Sequence, residues 1–97
     1  MELTEIKIKE LFKASPKPVQ QFIMSGQMEE VIIILEEKYD LSEQESRDIQ
    51  TISLGYILGV LDEDIALKMI GEKLDTRREG EVVEIQSDIE TMILTQR

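Results

Sequence analysis

Met28-Glu29-Glu30-Val31-Ile32-Ile33-Ile34-Leu35-Glu36-Glu37-Lys38-Tyr39 is the stretch that decides the fold. Its centre, Val31 to Leu35, is rich in β-branched residues and uninterrupted, which alone suits a buried strand. Two features argue for a helix instead. Charged residues on both sides carry the segment beyond typical strand length. Its counterpart further along, Ile65-Ala66-Leu67-Lys68-Met69-Ile70, places Lys68 among good helix formers. The pattern therefore predicts helices over 28–39 and 63–74. A helix with five consecutive apolar residues is expected to be covered on most sides. Helix 28–39 is thus read as central, and Ile34→Asp is expected to unfold the domain by burying an unpaired charge.

The counterpart belongs to a longer self-similarity. Phe22-Ile23 aligns with Ile57-Leu58, Ile34-Leu35 with Met69-Ile70, and Glu37-Lys38 with Glu72-Lys73, at an offset of about 35 residues. After one further residue in the next turn, Ile49-Gln50 aligns with Ile85-Gln86 and Ile57-Leu58 with Ile93-Leu94. A period of this length suggests one helix-turn-helix unit copied onto another. The expected fold is all-α: a compact bundle of five to six short helices in one domain, residues 1–97, with internal repeats at approximately 19–58 and 54–94. Helices 28–39 and 63–74 are expected to form the interior, and helices 43–60 and 78–94 to offer surfaces.

The remaining elements follow from stripes and punctuation. Ile8, Leu11 and Phe12 mark a helix over about 4–14. Ser15 is read as the N-cap of the next helix, with Pro16 and Pro18 in its first turn and Gly26 just past its end. Ser42 and Glu45 have the spacing of a capping box, opening a helix to about Val60 whose stripe is Ile49, Ile52, Tyr56 and Ile57. Asp62 and Thr76 are read as N-caps of the last two helices, with Glu79 three residues after Thr76. Arg77 and Arg78 then fall in a first turn, where the helix dipole disfavours cations. Gly55 and Gly59 have the spacing that lets a second helix approach closely, from within the chain or from a second copy.

The net charge is −10, from 21 acidic and 11 basic residues, with a pI near 4.4. Affinity for nucleic acid rests on Lys and Arg meeting phosphates, so direct nucleic-acid binding is not expected, nor is an anionic membrane surface. There is no Cys and no His, which removes thiolate chemistry, the usual proton shuttle and the commonest metal ligand. An enzyme is not expected, and neither is a cofactor. Leu61-Asp62-Glu63-Asp64-Ile65 resembles a calcium loop only in its two Asp and lacks the Gly and bidentate Glu, so no metal is expected. Met1-Glu2-Leu3-Thr4-Glu5 is unlike a signal peptide and no apolar run reaches membrane-spanning length, which leads to an expected cytoplasmic location.

What remains is surface. Glu81, Glu84 and Asp88 share one face of the last helix and are the candidate partner-binding residues. Glu43, Glu45 and Asp48 form a matching row on the equivalent helix. Such rows suit a basic protein partner, met by electrostatic steering and apolar docking. An acidic inhibitor imitating nucleic acid is the alternative. Met24, Met28, Met69 and Met92 border the apolar stripes, and methionine lines adaptable grooves that take amphipathic helices. The expected function is a small acidic interaction module, adaptor or regulatory subunit, with a homodimer as one form of partnership.

Overall fold

The computed structural model describes residues 5–74, 78 and 80–96, with Gln96 described in backbone only. Its α-helices are α1 (Glu5–Ala14), α2 (Lys17–Met24), α3 (Gln27–Tyr39), α4 (Glu43–Ile57), α5 (Glu63–Lys73) and α6 (Val82–Met92), followed by a 3-10 turn, Leu94–Gln96. There is no strand among the described residues. The fold is an all-α bundle, and Val31–Leu35 is helical.

The helix at the centre is α4, not α3. Eight α4 residues are buried, against four in α3, and α4 packs against α3, α5 and the closing 3-10 turn. Met28, Ile32, Leu35 and Tyr39 turn α3 inward at i, i+4, i+7 and i+11. Five consecutive residues sweep too much of the helix circumference for one face to bury. Ile33 and Ile34 are therefore left 55% and 49% exposed, and the expectation that Ile34 is buried is corrected. In α4 the reverse holds. Ser46, Ser53 and Gly55 are buried beside Ile49, Ile52, Tyr56 and Ile57. Their small size allows neighbouring helices to approach, so α4 is central despite its polar composition. The assignment of helices 28–39 and 63–74 as the interior fails for α5 too. It buries only Ala66 and Ile70 fully, and it packs onto α4.

Helix ends explain the sequence breaks. The α4 N-terminus is a complete capping box: Glu45 N–H donates to Ser42 Oγ at 3.1 Å, and Ser42 N–H donates to Glu45 Oε1 at 2.9 Å. Its C-terminus is a Schellman motif. Gly59 has φ 83°, Val60 N–H reaches Gly55 O at 2.8 Å, and Gly59 N–H reaches Tyr56 O at 3.0 Å. Gly59 thus serves a helix stop, while Gly55 lies inside α4. The expected cap at Ser15 is displaced. Pro16 occupies the N-cap position of α2, and Ser15 Oγ donates back to Leu11 O at 2.7 Å. Asp62 holds the N-cap position of α5 without a side-chain cap bond. The expected Thr76 cap and Glu79 lie outside the described residues. The last helix begins at Val82 rather than 78.

The buried residues form one cluster running from Val19 to Leu94. Leu35 and Ile70, Tyr39 and Leu74, and Ile57 and Ile93 are all buried, in step with the offset read from the sequence. The elements do not repeat in step: residues 54–57, aligned with α2, are the last turn of α4. The tandem period is a sequence reading that the fold does not establish.

Candidate functional site

The three predicted partner-binding residues have different roles. Asp88 Oδ2 accepts from Tyr39 Oη–H at 2.6 Å and from Lys38 Nζ at 2.8 Å, tying α6 to the end of α3. The Lys38 bond, then the Tyr39 bond, hold the Asp88 carboxyl below its ordinary range. Burial, then the bond to Asp88, push the Tyr39 phenol up. Glu81 accepts from Arg78 Nη1 at 3.2 Å. Glu84 is exposed. The matching row on α4 is also divided. Glu45 is buried, Glu43 pairs with Arg47, and Asp48 accepts from Gln44 at 3.0 Å.

Arg78 is the hub of this region, and its sequence position disguised that. Nε and Nη2 grip Glu45 bidentately at 2.7 and 2.9 Å. Nη1 and Nη2 also donate to Tyr39 O and Asp40 O, at 2.6 and 2.7 Å. Those carbonyls end α3, where backbone acceptors lack helical donors and the dipole favours a cation. Arg78 sits against the negative end of α3, so the unfavourable placement read from sequence does not arise for it; Arg77 lies outside the described residues. The Arg78 and Glu45 side chains are 15% and 8% exposed.

The feature that composition hid lies at the other end of the chain. Residues 7–17 contain Lys7, Lys9, Lys13 and Lys17 against Glu10, a local charge of +3 within a chain of −10. Most of this segment is α1, which has no fully buried residue. Its end is held by Gln20 of α2, whose Nε2 donates to Phe12 O at 2.9 Å and Ser15 O at 3.1 Å. Between α1, α2 and α4 lies an open hollow of about 350 Å³ with wholly apolar walls. Phe12, Ile23, Met24 and Leu54 line it, and Lys9 and Lys13 border it from successive turns of α1. Met24, one of the four methionines singled out, lines this hollow and is 77% exposed. The available signal was the lysine spacing on a helix with a narrow apolar stripe.

Among the described residues no group of three or more Asp and Glu is arranged to hold a metal ion. No helix among them is long and apolar enough to cross a membrane. No protein-family model matches the chain, and no curated protein or solved structure matches it either.

Proposed function

We propose that this chain is a non-enzymatic protein-interaction module whose docking site is the α1–α2–α4 groove. The observation that supports this most is an apolar hollow bordered by Lys9 and Lys13 on an otherwise acidic protein. An amphipathic helix laid in such a groove buries its apolar side, while carboxylates along its edge meet the lysines. The partner suited to it is acidic. Of the residues expected to meet a basic partner, Asp88 and Glu81 are engaged within the fold, which leaves Glu84. The nucleic-acid-mimic alternative gains no support, because the acidic rows of α4 and α6 are broken by internal bonds.

The test is a titration with a synthetic amphipathic helix of Leu and Glu, followed by NMR. Shift changes should concentrate at Ile8, Phe12, Met24 and Leu54, and the affinity should fall with added salt. No perturbation, or perturbation confined to α6, would refute the assignment.

A further inference from the structure

The chain carries its own complement to that groove. On α3, Ile33 stands outward, 55% exposed, among Glu29, Glu30, Glu36 and Glu37. These positions are i−4, i−3, i+3 and i+4, so helical geometry sets all four around one isoleucine. All four are exposed, and none forms an ion pair among the described residues. Glu36 and Glu37 fall in the last turn of α3, where the helix dipole disfavours anions. Glu29 and Glu30 lie in the first turn, where the dipole favours anions, so the stability of α3 accounts for that pair but not for Glu36 and Glu37.

Resting on the groove reading above, we infer that the occupant is a second copy of this chain. Ile33 of one copy enters the hollow lined by Phe12, Ile23, Met24 and Leu54 of the other, and the α3 glutamates lie over Lys9 and Lys13. Charge complementarity selects this pairing. The groove border is the cationic part of an acidic protein, and the α3 face is an apolar projection surrounded by carboxylates. The joined surfaces are unlike, so the contact is either made twice about a twofold axis or repeated head to tail.

The experiment is light scattering over a concentration series at low and high salt, with two variants that alter exposed positions. The wild type should exceed the 11.2 kDa monomer mass at low salt and dissociate as salt screens the glutamate–lysine contacts. The double variant Lys9→Glu/Lys13→Glu reverses the groove border, and Ile33→Glu removes the projection. Each should weaken self-association roughly tenfold or more. Mixed together, they should associate, because one retains the α3 face and the other the groove; general loss of folding cannot produce that rescue. A wild type that stays monomeric overturns the second-copy assignment, as does association unaffected by either variant. A monomer that still binds the Leu/Glu helix in the groove overturns only the occupant. A monomer that does not bind it overturns the groove reading as well.

Discussion

Replacing Arg78 with methionine preserves much of the side-chain length and removes a guanidinium that makes five hydrogen bonds to four residues. Glu45 would keep the Ser42 N–H bond at one oxygen but lose the Arg78 guanidinium at a site where its side chain is 8% exposed. The carbonyls of Tyr39 and Asp40 would lose their guanidinium donors at the end of α3. Breaking a buried ion pair from one side costs about 3–5 kcal/mol. Asp40 is exposed and water can serve its carbonyl, so the lower part of that range applies, about 3–4 kcal/mol. Domain stabilities are about 5–15 kcal/mol, so this is a large share. For a domain of this size the melting temperature should fall by roughly 12–30 °C. Urea unfolding measures the free-energy loss and thermal unfolding the temperature shift, both followed by circular dichroism. Arg78→Lys should recover only part of the loss, since a point charge cannot grip Glu45 bidentately while reaching both carbonyls. Adding Glu45→Gln to Arg78→Met should cost much less than the two single losses summed, because the orphaned charge is gone. A loss below about 1 kcal/mol for Arg78→Met would refute the reasoning, since that is the scale of an exposed pair.

Three further outcomes follow from burial and bonding. Ile34→Asp should cost less than about 1.5 kcal/mol by denaturant unfolding, because Ile34 is half exposed, whereas Leu35→Asp should prevent folding at a fully buried position; equal effects would contradict the observed orientation of α3. Ser53→Ala should stabilise by about 1 kcal/mol, because the hydroxyl is buried without a hydrogen-bond partner among the described residues; a destabilised variant would indicate that the hydroxyl is bonded in solution. Tyr39→Phe should lower stability near neutral pH and change both limbs of its pH profile. The lowered Asp88 pKa contributes stability present above the ordinary Asp value and lost as pH falls through the folded value. The raised Tyr39 pKa contributes stability present below the ordinary Tyr value of about 10 and lost as pH rises through the folded value. The variant should lose the tyrosine part of the alkaline change and show a weaker acid-side dependence; profiles parallel to wild type would exclude the bond.

Helix identity was legible because it is local. The 28–39 and 63–74 segments, the Ser42–Glu45 box and the stripe ending at Ile57 all rest on spacing within a few turns. Centrality was not legible, because it depends on which helix is surrounded. Val31–Leu35 is more apolar than α4, yet the small Ser46, Ser53 and Gly55 allow neighbours to close around α4. The acidic face of α6 was legible as a row, but not as a set of bonds. Asp88 meets Tyr39 across 49 positions of sequence and Arg78 meets Glu45 across 33, which no local pattern encodes.

Charge has two uses in this protein, separable by burial and pairing. Glu45, Glu81 and Asp88 accept from Arg78, Lys38 and Tyr39, and they fasten α3, α4 and α6 at one end of the bundle. These bonds fix geometry, and the best buried of them are weakly screened by salt. Glu29, Glu30, Glu36 and Glu37 hold no such partner among the described residues, and Lys9 and Lys13 border the open hollow between α1, α2 and α4. Exposed charges of this kind contribute little to folding and much to the rate and selectivity of encounter. Salt should therefore separate the two sets. Unfolding of Arg78-containing protein should change little between low and moderate salt, while association through the groove should weaken over the same range.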